Sequence, residues 1–457
     1  MHTKTEETYF HHALKVLDEV CIGCTHCMSV CPTGAIRILD GRAQIKEGRC
    51  IDCGECYKAC PVHAIIVEQD DFEEILEYKV RVALVPSVLI GQFPGKIPAS
   101  GIYSATNELG FTHVYEVEST VGYIHSAYDN EKQKNKNRPL ISSFCPAVVR
   151  LIQVRFPSLI GNIIGVKPPI DISALYHRRQ LQAEGYQDKD IGIFYVTPCA
   201  AKIAAVKSPV GEERSPVDGV INMKFMYNRI LQILQKHPDL GQNAMDTGHV
   251  AADGILWCLT RGEIAGRNGR ALAIDGIHNV SEFLEKLENE ETDRIDFLEL
   301  RACDESCAGG ILISGNRFLT VERLNKRAAG YRHQELKPDW QILNREDISL
   351  DTIRPRPMER LDNDISKALA KMERKRRLMC YLPAFDCGAC GAPTCQALAE
   401  DIVQGHAQVS SCIFMQQMMV KTKTLSVEHA LAITAKIWGE NRLDKDCSKS
   451  GAEDENS

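Results

Sequence analysis

The sequence predicts an α/β domain with a largely parallel sheet, set between two small cysteine-rich domains, and three observations predict it. From about residue 80 to residue 350, short runs rich in β-branched and apolar residues alternate with helix-like segments, the pattern of strand–helix crossover units. Residues 15–70 hold eight cysteines in two similar halves, an internal repeat. A second cysteine cluster occupies residues 380–412, beyond a proline-bearing linker. A chain of 457 residues is too long for one ordinary core. Its 44% hydrophobic and 25% charged content is that of a globular protein.

The elements follow in order. Residues 1–14 form a short leader with a partly helical pattern; MHTKTEETYFHH has no apolar core, so no secretory signal is expected. Within YKVRVALVPSVLI (78–90) the sequence reads as a buried strand ending in Pro-Ser. DIGIFYVTPCAAKIAAV (190–206) reads as strand, tight turn and helix, and ALAIDGI (271–277) as a strand before the amphipathic helix SEFLEKLENE. NEKQKNKNRP (130–139) and KSPVGEERSPVD (207–218) read as surface. The expected domains are the leader 1–14, a cysteine-rich domain 15–75, the α/β domain 76–350 and a linker with a charged helix 351–378. A second cysteine-rich domain 379–420 follows, then a helix and a disordered acidic tail 421–457. The charged helix is read over 365–378, with ERKRRL as a solvated face.

A net charge of −7 argues against a nucleic-acid surface. No apolar run reaches the ~18 residues of a membrane span. Nineteen cysteines without an export signal imply a reducing compartment, the cytoplasm, where thiolates persist as metal ligands rather than disulfides.

Cys21, Cys24, Cys27 and Cys31 have the spacing C-x2-C-x2-C-x3-C and are followed by Pro32; Cys50, Cys53, Cys56 and Cys60 repeat it before Pro61. Three cysteines two residues apart wrap a tight loop around three irons of a cubane, and the fourth, expected at the start of a helix, crosses to the other cluster. Cys21, Cys24, Cys27 and Cys60 are therefore expected to hold one 4Fe-4S cluster, and Cys50, Cys53, Cys56 and Cys31 a second. Paired zinc knuckles are the competing explanation, but four cysteines within eleven residues do not suit tetrahedral zinc. The region resembles the α+β bacterial-type ferredoxin domain over its full length, which implies electron relay.

Four more cysteines are scattered: Cys145 in SSFCPAVV, Cys199 in VTPCAAK, and Cys303 and Cys307 in RACDESCAGG. Singly, each reads as a small core residue. Together they sit beside prolines and glycines at turns where α/β sheets place ligands. Over roughly residues 80–345 the sequence resembles the catalytic domain of the FeFe hydrogenases. The family motif T-S-C-C-P matches Ser142-Ser143-Phe144-Cys145-Pro146, and M-P-C-x-x-K matches Thr197-Pro198-Cys199-Ala200-Ala201-Lys202. The third, M-A-C-x3-C-x-G-G, matches Arg301-Ala302-Cys303 through Cys307-Ala308-Gly309-Gly310.

The resemblance implies an H-cluster: a 4Fe-4S cubane held by Cys145, Cys199, Cys303 and Cys307, with Cys307 bridging to a di-iron subcluster that carries CO, cyanide and a bridging dithiolate. It implies that Lys202 donates to one cyanide, and that Ser87, following Pro86 in the family's Pro-Ser loop, contacts the other. Three pocket positions depart from the family. The cysteine that passes protons to the di-iron site is Phe144, and two pocket methionines are Thr197 and Arg301. The family's acidic proton-path segment has no clear counterpart in STVGYIHSAYDN (119–130). Phenylalanine cannot exchange a proton, so slow H2 chemistry is expected, as in sensory members of the family.

Cys387, Cys390, Cys395 and Cys412 have the spacing C-x2-C-x4-C-x16-C, with the helix ALAEDIVQG returning the chain to Cys412. They resemble a small 4Fe-4S domain found in electron-transport B subunits and sensory hydrogenases, with a zinc site as the alternative. Four 4Fe-4S clusters are thus expected from sixteen cysteines. Cys258 reads as core, Cys380 as a spare or packed thiol and Cys447 as a free thiol in the tail, while the fourteen histidines show no ligand spacing. The implied partners are H2 and protons, a redox partner such as ferredoxin or a signalling protein, and the hydrogenase maturation proteins. A slow H2 or redox sensor is the leading expectation. The alternatives are a turnover-competent, ferredoxin-linked hydrogenase and a non-catalytic electron-transfer or regulatory iron–sulfur protein.

Overall fold

The computed structural model describes residues 10–134, 139–240, 250–265, 269–292, 294–331, 341–356 and 361–440. Cys447 and the acidic tail, most of the leader, and parts of the 130–139 segment and of the linker lie outside the described residues. Two compact units make up the chain. One comprises Met1–Ala13, Ile51–Gly54 and Val67–Arg356; the other comprises Leu14–Cys50, Glu55–Ile66 and Pro357–Ser457.

The larger unit is α/β. Its main sheet has four parallel strands in the order His113–Glu116, Val80–Val85, Ile191–Thr197, Gly219–Asn222. A second, three-stranded parallel sheet orders Ala271–Ile274, Phe297–Leu300, Leu140–Ile141. All seven residues of Ile191–Thr197 are buried. Strands covered on both faces read as unbroken apolar runs rather than alternating ones. The buried strand expected to end in Pro-Ser is present as Val80–Val85, just before Pro86 and Ser87. Pro86, at φ −79° and ψ 151°, caps the helix Ser87–Gln92, in which all six residues are buried. A short buried helix and a buried strand carry the same apolar signature, and Pro86 is the break that separates them. The strand–turn–helix unit expected at 190–206 is present as Ile191–Thr197 and the helix Ala200–Lys207. The expected strand and helix from residue 271 are Ala271–Ile274 and Ile277–Glu288.

The smaller unit holds most of both cysteine-rich segments. Its hairpin, Ile36–Leu39 with Arg42–Ile45, turns through Asp40 and Gly41 at φ 51° and 68°. That Asp-Gly pair is the chemistry of a two-residue turn whose twist matches the strands. Gly41 is also fixed sterically, since a Cβ there would lie 2.6 Å from the carbonyl oxygen of Trp438. The short helices His26–Ser29 and Glu55–Ala59 contain the third cysteine of each repeat, Cys27 and Cys56. Cys31 and Cys60 therefore follow a helical turn instead of starting one, because the turn forms inside the ligand loop itself.

The charged helix runs over Ile365–Tyr381, three residues past its expected end, with Asp364 accepting the N–H groups of Ser366 and Lys367. The helix Cys395–Gln404 starts under Thr394 and ends at Gly405 at φ 83°, a left-handed stop. Its Asp401 accepts from Arg37 Nε at 2.5 Å and from Lys46 Nζ at 2.6 Å, while Glu400 pairs with Arg49 and Lys375. The Arg37 and Asp401 side chains are only 9% and 10% exposed, so removing one partner strands a buried charge. Asp401→Ala is expected to cost about 3 kcal/mol, read as a lower urea midpoint for loss of this unit's circular dichroism. An unchanged midpoint would show that the ion cluster does not hold the unit together.

Candidate metal centres

In the two ferredoxin-like repeats, Cys21, Cys24 and Cys60 surround Cys27, and Cys50 and Cys31 lie by Cys56. Burial foremost, and then the charges of Cys21, Cys24 and Cys60, push the Cys27 thiol up to about 12. Burial followed by Cys50, Cys31 and Cys27 raises Cys56 further. A close-packed set of buried thiols ionises only when a cation offsets the charge, which is the condition a metal cluster supplies. Backbone N–H groups of Ala35, Ala64 and Ala43 point at the sulfurs of Cys31, Cys60 and Cys21 at 3.2, 3.2 and 3.3 Å. Cys53 lies half-buried in the loop 51–54. Next to it, Asp52 accepts from Ala13 N–H at 3.0 Å and from the fully buried Arg150 at 2.9 Å.

Three of the four scattered cysteines converge at the C-terminal ends of the parallel strands. Cys145 precedes the helix Pro146–Arg155, whose Pro146 occupies the first turn, where no N–H is needed. Cys199 precedes the helix Ala200–Lys207, and Thr197 Oγ1 donates to its carbonyl at 2.9 Å. Both sulfurs thus sit at helix N-termini, where a thiolate is favoured. Cys303 and Cys307 follow the strand Phe297–Leu300 on a loop in which Glu305 and Ser306 have positive φ. A Cβ on Gly310 would lie 2.5 Å from the carbonyl oxygen of Pro198. Only glycine lets this loop close against the Pro198–Cys199 turn, and that closure places Cys307 beside Cys199. Burial lifts Cys199 to about 12 against the opposing charge of Lys202, with Cys307 and Cys145 adding to the rise.

Lys202 is 7% exposed, with Nζ 3.7 Å from Cys307 Sγ and donating to Tyr195 Oη at 3.3 Å. Burial opposes its charge, but Cys307, Tyr195 and Cys199 outweigh it and hold the ammonium well above its ordinary value. With Glu118, Phe144, Tyr195, Pro168 and Asp171 it lines a pocket. The Phe144 ring, 5% exposed, lies between two cations: Lys202 Nζ at 4.5 Å and Arg301 Cζ at 3.8 Å from its centroid. Arg301, also buried, pairs with Glu263 at 2.6 Å and faces Glu299 at 3.6 Å. Ser142 Oγ donates to Glu263 at 2.8 Å.

Ser87 stands at the C-terminal end of the strand Val80–Val85, after Pro86, and its hydroxyl faces Glu116 at 3.0 Å and Glu118 at 3.1 Å. These carboxylates, with Glu263 and Glu299, are site residues that sequence reasoning missed. Acidic residues had been sought at 119–130, whereas the pair sits just upstream, where the strand His113–Glu116 ends. Charge at the C-terminal end of a parallel strand was the available signal.

At the C-terminus, Cys395 begins the helix Cys395–Gln404 and Cys412 precedes the helix Ile413–Lys421. Both are buried in one apolar cluster with Leu398 and Ile402, against which Cys390 packs. Burial and then Cys412 and Cys387 raise Cys390 to about 11; Cys387 itself is exposed. Cys258 is core, its carbonyl accepting the Cys307 N–H at 3.1 Å. Cys380 is an exposed thiol.

Residues 79–254 match the family described as the iron only hydrogenase large subunit, C-terminal domain. Residues 13–61 match a 4Fe-4S dicluster domain, and residues 382–414 an Fe-S cluster domain. Iron hydrogenase 1 of Clostridium pasteurianum is 23% identical over 259 residues, covering 53% of this chain and 43% of that protein, so the chain spans less than half the length of that relative. An FeFe-hydrogenase of Chlamydomonas reinhardtii superposes with a TM-score of 0.46 at 14% identity, covering 63% of this chain and 97% of that one. A hydrogenase structure described as revealing stepwise H-cluster assembly gives the same values.

Proposed function

Because the chain belongs, through residues 79–254, to the iron-only (FeFe) hydrogenase family, we propose that it binds or slowly oxidises H2 at an H-cluster and relays electrons through 4Fe-4S clusters as an H2 or redox sensor. The observation that carries this reading is the convergence of Cys145 and Cys307 on Cys199, with a buried Lys202 beside Cys307 and Cys199 and the Phe144 ring next to it. The donor set suits the group: a cubane takes four cysteine thiolates, and Cys303 lies four residues before Cys307 on the same loop. When bound, the H-cluster supplies the iron centre at which H2 is held and its electrons are exchanged.

The protein's own residues do the rest. Lys202, itself buried, presents an ammonium to an anionic ligand where a charge-assisted hydrogen bond is strong. Phe144 and Arg301 close the side from which a relay cysteine serves other members, and neither exchanges protons near neutral pH. Cys387, exposed at the edge of the C-terminal set, gives that centre an outlet to a partner. On this reading the partners are H2 and protons, a ferredoxin or a signalling protein, and the maturation proteins that build the di-iron site. The setting is the cytoplasm; no described helix is long and apolar enough to cross a membrane.

Infrared spectroscopy after assembly with the maturation proteins tests the proposal. Bands from iron-bound CO and cyanide that respond to H2 are expected, with H2 oxidation far slower than in production enzymes. Their absence from protein carrying intact ferredoxin-type clusters would leave only the electron-transfer alternative. Rapid turnover would instead favour the ferredoxin-linked hydrogenase, a reading that the buried Glu118 beside Lys202 keeps in play.

A further inference from the structure

Two acids, Glu118 and Asp171, line the pocket where the family's relay cysteine is missing, and Glu118 is the one that hydrogen-bonds to Ser87. Glu118, 3% exposed, lines the same cavity as Lys202 and Phe144. Its Oε2 accepts from Ser87 N–H at 2.9 Å and from Ser87 Oγ at 3.1 Å. The same Ser87 hydroxyl lies 3.0 Å from Glu116 Oε2. Glu116 is bound by Tyr103 Oη and by both Arg327 Nη atoms, at 2.8 and 2.5 Å. The Arg327 side chain, 13% exposed, is where this chain of hydrogen bonds meets the outside.

We infer that Glu118 is the proton-holding group of the pocket, and that Ser87 and Glu116 connect it to the outer face at Arg327, a route that takes the place of the one closed at Phe144. The inference rests on the proposed H-cluster function for the base it would serve. One proton leaves the Glu118 carboxyl for that base, and no electrons move with it. The carboxylate left behind is met by the Ser87 N–H and hydroxyl and by the charge of Lys202. On return, Ser87 gives its hydroxyl proton to Glu118 and takes one from Glu116, which draws its own from solvent at Arg327.

The electrostatics agree with these roles. Burial first, and then the charge of Glu116, push Glu118 up to about 7, against the Ser87 N–H and Lys202. Tyr195 and Cys258, on the neighbouring elements, also face it and remain neutral because burial raises both. Burial favours the neutral form of Glu116 too, but the charge and hydrogen bonds of Arg327, with those of Tyr103 and Ser87, outweigh it and keep that carboxyl below its ordinary range. Glu118 thus holds a proton more readily than Glu116, through which the route reaches the outer face.

Infrared difference spectra of the full chain, carrying its 4Fe-4S clusters but not the di-iron centre, read Glu118 once those of Glu118→Gln are subtracted, which removes the band of Asp171, also pushed up to about 7 by burial. A carboxylic-acid C=O band is expected to vanish with a midpoint near 7 as pH rises from about 5 to about 9, and to be missing from Glu118→Gln. Ser87→Ala is expected to keep the band but slow its shift in D2O by about tenfold or more. In matured protein, Glu118→Gln is expected to keep the CO and cyanide bands while lowering H2/D2O exchange by roughly a hundredfold. No titrating band in the wild type, a band unchanged in Glu118→Gln, or undiminished exchange would overturn the role of Glu118; an unchanged D2O shift in Ser87→Ala would overturn the route. Missing CO and cyanide bands in the wild type would instead overturn the H-cluster reading, which the di-iron-free experiment does not depend on.

Discussion

Replacing Cys307 with alanine is expected to abolish the infrared bands of iron-bound CO and cyanide after maturation, while the ferredoxin-type cluster signals persist. Cys307 Sγ lies 3.7 Å from Lys202 Nζ and so stands between the cubane ligands and the pocket. Its position is built by the closure of the Gly309–Gly310 turn on Pro198, with its own N–H donating to Cys258 O. Serine would keep the shape but offers a hard oxygen in place of the soft thiolate that iron–sulfur centres select. Electron paramagnetic resonance of the reduced protein, counted against the wild type, separates loss of this centre from loss of the others. CO and cyanide bands of full intensity in Cys307→Ala would assign the bridge to another residue.

Phe144→Cys is expected to raise H2 oxidation by roughly a hundredfold, the contribution typical of a positioned proton donor. The new thiol would lie where the ring now sits between Lys202 and Arg301, and two flanking cations favour its ionised form. The gain comes with a loss of stability. Removing a ring that is 5% exposed and in contact with both cations is expected to cost about 3 kcal/mol, so rate and thermal unfolding need to be measured on the same preparation. If Glu118 already supplies a proton route, Phe144→Cys and Glu118→Gln will combine non-additively, the thiol rescuing the loss at Glu118. An unchanged rate with intact CO and cyanide bands would place the limit elsewhere, with Arg301 and its two glutamates next in line.

Local chemistry was legible in the sequence. Each ferredoxin-type ligand loop is set within eleven residues, so the spacing of Cys21 to Cys31 and Cys50 to Cys60 carries its own geometry. The Pro198–Cys199 turn and the strand and helix flanking it were equally readable, because a buried parallel strand, a proline and an apolar helix leave local marks. In the apolar run across Pro86, the proline marked where the strand ends, but nothing local marked the short buried helix that follows.

Tertiary structure alone decided which charges meet. Glu118 and Ser87 are separated by 31 residues, Ser142 and Glu263 by 121, and Arg37 and Asp401 by 364. No periodicity or spacing relates such pairs; they are joined by strand order and by the requirement that a buried charge find a partner. The cysteines thus declared the metal chemistry through local spacing. The setting of that chemistry, a phenylalanine held between two cations with a carboxyl across the pocket, arises only where distant segments pack.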